Sequence, residues 1–447
     1  MIVGHESFRG ANVTIATLMR SSGTLPSRRL ARRRPAADVA RDAFVRRRCR
    51  PDLCHERDNA QSATNRQRTT RERNNRQPIT REAQSTDNGF NIDTIANAMS
   101  HRDFAFIQTA PGKVFIGWGP FEQLPFRRPD RPAFFVADFF LDDPHPWRHP
   151  ATWEETTFEE LAGWFEERDA PRVTWEPPSL DDFTALFDSA RDAMSRGEFQ
   201  KIVPVIFESG QFAERGEYWR WFFTRIAELP LGLRAYGYSY QNHGLAGATP
   251  ELLFEGFARG YRTMALAGTR PVMRAAELMS DAKELREHRF VVDDIVRRLS
   301  PFGNIEVGPL GTLRMPKIAH LITPIFFSEN GGAERMSFAE MIRRLHPTAA
   351  LGVSPRNEAG ERWLREADRG VKRRAFGAPF GLEREDHSAL ALVAIRNMQW
   401  DGERVRVGSG AGLIAESRVE REFEELREKR EQVKALFGVT AHVETFV

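Results

Sequence analysis

Apolar residues gather into short unbroken runs a little past residue 100. Phe104-Ala-Phe-Ile-Gln108 and Lys113-Val-Phe-Ile-Gly-Trp118 read as strands, joined by a turn at Pro111-Gly112. Ala133-Phe-Phe-Val-Ala-Asp-Phe-Phe140 reads as a third, buried strand. Residues 142–180, rich in Pro, Trp and acids, read as a loop-and-helix connection. From Leu180 to Gly197 the period changes, and Phe183, Leu186, Phe187, Ala190 and Met194 fall on one side of a helix. A strand over Phe199–Phe207 follows, then strands over 235–240, 244–249, 252–256 and 261–267. The spacing predicts a long helix from Ser280 to Leu299 and helices over Ser337–Leu345 and Glu358–Gly370. Strands over Ser388–Trp400 and Arg404–Gly410 precede a last helix to Phe437, with Ser417-Arg-Val-Glu420 as a capping box at its start. Mixed helices and adjacent strands favour an α+β or mixed α/β fold with a large, mainly antiparallel sheet.

Charge changes the picture at the N-terminus. Residues 1–90 carry 19 Arg, no Lys and 9 acids, so the formal net charge of +3 hides an acidic remainder. Residues 1–88 have too little aliphatic content to offset their chain entropy and read as a disordered, Arg-rich segment. An arm for nucleic-acid phosphates, an organellar leader and a later translation start near Met99 are its three functional readings. The basic arm therefore gives no reason to expect a nucleic-acid enzyme. The expected division is 1–88 as this segment, 89–181 as a strand-rich N-terminal part, 182–438 as the catalytic region and 439–447 as a tail. Cys49 and Cys54 both lie in the arm, which argues against a disulfide framework or a cysteine zinc site. No secretory pattern and no run of 18 apolar residues is found, so a cytoplasmic protein without a membrane span is expected.

Two helices carry acids in an unusual place. On the last helix, Glu422, Glu425 and Lys429 lie close to the apolar face formed by Val419, Phe423, Leu426, Val433 and Leu436, while Arg421, Glu424, Glu428 and Glu431 point away. On the Ser280 helix, Glu284, Glu287 and His288 share a side with Val291, Ile295 and Leu299, while Lys283, Arg286 and Arg289 fall elsewhere. One such helix is ordinarily a rim of paired charges. Two with the same pattern suggest carboxylates gathered around a hard, oxygen-seeking cation such as Mg²⁺.

Alternation in Phe199-Gln-Lys-Ile-Val-Pro-Val-Ile-Phe207 puts Lys201 beside Phe199, Val203 and Val205. A lysine so desolvated has a lowered pKa and becomes a usable base, although a strand-end lysine can also extend its head to water. Glu251, the lone acid in Gly247-Ala-Thr-Pro-Glu-Leu-Leu-Phe254, opens an apolar strand. Burial would suit it to donate a proton; a turn-capping or paired acid is the alternative.

These segments, in this order, resemble the chorismate-utilising enzymes: the anthranilate synthase large component, aminodeoxychorismate synthase, isochorismate synthase and salicylate synthase. The pieces are Gly197-Glu-Phe-Gln-Lys201, Gly247-Ala-Thr-Pro-Glu251, Ala265-Leu-Ala-Gly-Thr-Arg270, Asp281 through His288, Leu345-His-Pro-Thr348, Gly408-Ser-Gly-Ala-Gly412, and Glu416-Ser417 leading to Lys429. The resemblance implies that family's two-layer core of large antiparallel sheets flanked by helices. It implies chorismate as substrate and Mg²⁺ held by Glu287 and Glu425 with Glu284 and Glu422 in support. It further implies that Arg396 and Lys429 pair with the enolpyruvyl carboxylate, and that Gly268, Thr269, His346, Thr348, Gly410 and Gly412 form the substrate site.

Lys201 and Ala350 resemble the water-using branch, and Ala267 stands where aminodeoxychorismate synthases commonly have a nucleophilic lysine. That favours an isomerase, isochorismate synthase, serving menaquinone or siderophore synthesis, with Lys201 as base and Glu251 as acid. Water as nucleophile would require no glutaminase partner. A salicylate synthase, an ammonia-using enzyme and a non-catalytic chorismate-binding paralogue remain alternatives. Phe376, Ala378 and Val353 depart from the pattern usual in the family as a whole, and Pro204 is closer to the ammonia-using enzymes.

Overall fold

The computed structural model describes residues 103–439, apart from 215, 231, 258–259 and 331–334. The Arg-rich segment 1–88 and the tail after residue 439 lie outside the described residues, and so do the readings made of them. Seven α-helices are described: α1 (Phe158–Gly163), α2 (Leu180–Ser195), α3 (Trp219–Ala227), α4 (Ala282–Leu299), α5 (Phe338–Leu345), α6 (Glu358–Val371) and α7 (Val419–Phe437).

A nine-stranded antiparallel sheet runs, edge to edge, through Thr152–Thr156, Lys113–Trp118, Phe104–Ala110, Arg234–Tyr240, His243–Thr249, Asn397–Asp401, Arg404–Gly410, Val205–Phe212 and Val173–Glu176. A ten-stranded sheet runs through Gly303–Val307, Ile318–Glu329, Gly260–Pro271, Leu252–Phe257, Ala389–Val393, Pro379–Glu383, Ala133–Val136, Trp147–His149 and Glu122–Leu124, with Gly311–Arg314 paired alongside Ile318–Glu329. The expected N-terminal part is woven into both: Phe104–Ile107 pairs with Tyr236–Ser239, and Ala133–Val136 with Phe380–Glu383.

The apolar runs are unbroken because both faces of each sheet are covered. Ala105 and Ile107 turn inward and pack with Leu252, Phe380 and Leu392 of the other sheet. Their neighbours Phe104 and Phe106 turn outward onto Phe158, Trp219 and Phe223 of α1 and α3. On the far side, Val291, Ile295 and Leu299 of α4 and Phe338 and Met341 of α5 cover the ten-stranded sheet. The order is helices, sheet, sheet, helices.

Several elements differ from the sequence reading. The run Ala133–Phe140 leaves the sheet after Val136, because Asp138 accepts the backbone N–H groups of Phe140 and Asp143 at 2.8 and 2.7 Å and folds the chain into a turn. Phe199–Phe207 breaks into Lys201–Ile202, which pairs with Val353–Ser354, and Val205–Phe212. Pro204 between them has no N–H to offer a ladder. Ser388–Trp400 is likewise two strands, divided at Arg396, whose φ is +57°. The strands over 303–329 were not anticipated. The capping box at Ser417 does not form: α7 starts after Arg418 without a side-chain cap, and Ser417 Oγ accepts the N–H of Ile414 at 3.2 Å.

Candidate active site

The two acid-bearing helices meet one group of strands. α4 packs on Gly260–Pro271, and α7 packs on Arg404–Gly410. Asp281 caps α4 by accepting the N–H groups of Lys283 and Glu284 at 3.0 and 3.1 Å, which fixes the first turn and aims Glu284 inward. Glu284, Glu287, His288, Val291, Ile295 and Leu299 are all buried, the face read from the sequence. On α7, Glu422 is buried at 1% exposure and Glu425 is partly buried.

Lys283 departs from the helical-wheel reading. Its stem turns back, and Nζ lies 3.6 Å from Glu284, 3.4 Å from Glu287 and 3.1 Å from Glu422, joining α4 to α7. Arg421, expected to point away, also reaches across and meets Glu284 at 2.8 Å. The four glutamates thus form one electrostatic group, with consequences for each acid. Burial and then the Glu425 carboxylate push Glu422 up to about 7. Burial raises Glu284, against Lys283. Burial would raise Glu425 too, but Lys429 and Lys283 overcome it and bring it down to about 2. Burial works against the Lys283 ammonium, yet Glu287, Glu422 and Glu284 hold it charged well above the usual lysine range.

Among the described residues, no three His, Cys, Asp or Glu side chains converge as a ready-formed metal cage. The donor set nevertheless fits a hard cation. All four ligand candidates are carboxylates, and neither buried oxygen of Glu422 takes a hydrogen bond.

Lys201 is completely buried. Its Nζ donates to the Ala349 carbonyl at 2.7 Å and lies 3.4 Å from Glu287. Burial lowers its pKa, with Glu287 opposing. Glu251, also buried, is pushed up to about 7 by desolvation, with Lys201 and Lys429 opposing. Its backbone N–H is held by Thr249 Oγ1 at 3.1 Å.

A cavity of about 70 Å³ brings Glu251, Gly268, Thr269, Glu287, Arg396, Gly410, Gly412 and Lys429 to one surface, with Leu351 and Phe376 among its apolar lining. A larger groove of about 710 Å³ lies on the nine-stranded sheet around Tyr238, Trp400 and Arg406, and none of the candidate site residues lines it. The smaller cavity is the one with the chemistry.

Backbone accommodates the crowding. Gly268 has φ +78°, and a Cβ there would meet the Glu284 carbonyl at 3.2 Å. A Cβ on Gly412 would lie 2.0 Å from Glu287 Oε1 and 2.9 Å from Lys201 Cε. Thr269 donates its N–H to Glu284 at 2.9 Å, and Lys429 bridges the Gly410 carbonyl at 2.8 Å and Glu425 at 2.7 Å.

His320 was missed by sequence reasoning, since nothing marks it within a strand the pattern did not reveal. It lines the cavity, with Nδ1 3.0 Å from Thr269 Oγ1 and 3.2 Å from the Gly268 carbonyl, and Nε2 3.4 Å from the Arg396 guanidinium. Burial and Arg396 push it down to about 3, so the ring is neutral. A guanidinium can only donate, so Nε2 accepts and Nδ1 carries the proton. Arg396 also donates to Gln432 at 3.1 Å.

Six candidates do not line the cavity as it stands. Lys201, Glu284, Glu422 and Glu425 stand behind its wall. His346 and Thr348 are engaged elsewhere: His346 Nε2 pairs with the Phe139 carbonyl at 2.6 Å, and Thr348 Oγ1 accepts the N–H of Ala350 at 3.3 Å. Their placement fits a role in shaping the loop that carries Ala349 to Lys201.

Residues 152–438 match the family model described as chorismate binding enzyme. The chain is 26% identical to anthranilate synthase component 1 of Methanothermobacter thermautotrophicus, over 55% of this chain and 54% of that one. It is 27% identical to the isochorismate synthase MenF of Escherichia coli, over 68% of this chain and 66% of that one. The chain thus spans about half to two thirds of the length of these curated relatives. The solved structure of the Escherichia coli MenF superposes with a TM-score of 0.65 at 20% identity, over 78% of this chain and 92% of that one, and shares the fold.

Proposed function

The chain belongs to the chorismate-binding enzyme family, and from that premise we propose that it is an isochorismate synthase, adding water at C2 of chorismate with loss of the C4 hydroxyl. The observation that carries this reading is a pair of buried groups at the cavity: Glu251 on its wall, pushed up to about 7 by burial, and Lys201 just behind Gly412 and Glu287 of that wall, its pKa lowered by burial. Displacement of hydroxide by water needs a base for the incoming molecule and an acid for the departing one. In its neutral form, which burial favours, Lys201 takes a proton from the water as its oxygen bonds to C2. The ring double bonds shift, the C4–O bond breaks, and Glu251 gives its proton so that the group leaves as water. Atoms and charge balance, and the two residues return to their starting states by exchanging a proton with solvent.

Glu284, Glu287, Glu422 and Glu425 would hold Mg²⁺, which when bound draws electron density from the ring through its carboxylate. Arg396 and Lys429 are cations on the cavity wall suited to the enolpyruvyl carboxylate. Gly268, Gly410 and Gly412 let backbone come close to the substrate. Relatives named as both isochorismate and anthranilate synthases support the chorismate substrate and leave the nucleophile to this chain's own residues. Lys201 is the residue here that favours water.

The test is direct. Purified protein with chorismate and Mg²⁺ should give isochorismate by chromatography. Salicylate with pyruvate would move the assignment to the lyase variant, anthranilate formed with ammonium salts would replace water as nucleophile, and no turnover would sink the enzyme reading.

A further inference from the structure

The four carboxylates are not equally supplied with counter-charge. Arg421 meets Glu284 at 2.8 Å, Lys201 meets Glu287 at 3.4 Å and Lys429 meets Glu425 at 2.7 Å. Glu422, 1% exposed, has neither oxygen in a hydrogen bond, and its ion pair is with Lys283 at 3.1 Å. The same Lys283 ammonium is 3.4 Å from Glu287 and 3.6 Å from Glu284. One flexible side chain therefore puts a single positive charge among three of the four groups proposed to hold the metal.

We infer that Lys283 is a tethered counter-cation that holds the carboxylate cluster together in the metal-free protein and competes with the divalent ion for it. The inference rests on the metal reading above. An ammonium cannot share the centre of such a cluster with Mg²⁺ at close range, because like charges in a poorly solvated site repel strongly. Metal entry must then push Lys283 out toward solvent. Its stem is long enough, and its side chain already keeps 12% of its surface exposed. The device has two effects. Without metal, the acids of α4 and α7 stay paired instead of driving the helices apart. With metal, part of the binding free energy goes to displacing the lysine, so affinity is lower than four carboxylates would otherwise give.

Calorimetric titration with MgCl₂ of wild type and Lys283→Met, both stripped with chelator, tests this. The variant should bind Mg²⁺ about tenfold more tightly or better. Its metal-free Tm should fall below that of wild type, and saturating Mg²⁺ should raise the variant's Tm by more. Equal or weaker Mg²⁺ affinity in Lys283→Met, with wild type binding normally, would overturn the tether and leave the metal reading intact. Absence of Mg²⁺ binding to either protein would overturn both. Should the variant fail to fold, wild type alone decides the matter. Labelling with an amine-reactive acetyl ester, read by peptide mass spectrometry, should show Lys283 becoming several-fold more reactive with Mg²⁺, while the exposed Lys113 and Lys372 stay constant. Unchanged or reduced reactivity at Lys283 would contradict the displacement.

Discussion

Lys201 Nζ stands 3.4 Å from Glu287 Oε1, so the proposed base and a proposed metal ligand share one ion pair inside the protein. The pairing links two strongly separated stretches of sequence. It also means that whatever binds Glu287 changes the field felt by Lys201: a cation there draws the carboxylate's charge away from the ammonium and favours the neutral amine.

Replacing Lys201 with Ala should abolish the base while leaving the sheets intact. General-base contributions are on the order of 10² to 10⁴ in rate, and a kcat loss of that size is expected. Circular dichroism should remain native, since Glu287 keeps its contact with Lys283. Full activity in Lys201→Ala would remove it from the mechanism.

Glu251 must be protonated to act as the acid. With its pKa raised by burial to about 7, the enzyme's kcat/KM should decline as pH rises through that value. Glu251→Gln should lose most of its turnover while keeping its KM near that of wild type. The stability consequence has a fixed sign: a carboxyl whose folded pKa lies above its unfolded value favours the folded state below about 4.5, and that contribution fades as pH rises to about 7. Urea titrations of Glu251→Gln and wild type across this interval should converge at the acid end and separate in favour of the variant toward neutrality. Parallel curves would show that Glu251 is not titrating as described.

Gly412→Ala separates geometry from folding. The added Cβ would strike the Glu287 carboxylate and the Lys201 stem. The carboxylate is the far end of a flexible side chain and can shift, so Tm should change little. Displacing reacting groups by about 1 Å can cost on the order of 10²-fold in rate. Activity within twofold of wild type would mean that the Glu287–Lys201 arrangement is not the working one.

His320→Ala should raise the KM for chorismate more than it lowers kcat, because Arg396 would lose the acceptor at 3.4 Å that helps to aim its guanidinium. Steady-state kinetics decide this, and an unchanged KM would leave His320 without a part in orienting Arg396.

Much of this site could be read from residue order. The buried face of α4 follows from spacing alone, whereas on α7 spacing finds Glu422, Leu426 and Val433 but not Arg430, Lys434 and Phe437. Lys201 and Glu251 stand out because each is a lone charge in or beside an apolar strand. Cations were harder to place. A helical wheel locates the Cβ of Lys283 and Arg421, but their charged ends lie several bonds further on and turn back to the acids. Arg430 and Lys434 were missed for the same reason: both are buried on Glu208, at 3.2 and 2.8 Å. The division of Ser388–Trp400 depends on one backbone angle at Arg396, for which the apolar pattern has no signal. His320 pairs with Thr269 of Gly260–Pro271, far off in sequence, so its place beside Gly268, Thr269 and Arg396 could not be inferred locally.

The most direct measurement is the product formed from chorismate by the purified protein, with Mg²⁺ and again after chelation. The account predicts isochorismate with the metal, little without it, and almost none from Lys201→Ala in either condition. Chorismate left unchanged by well-folded protein with Mg²⁺, or product formed at the same rate after chelation, would contradict it.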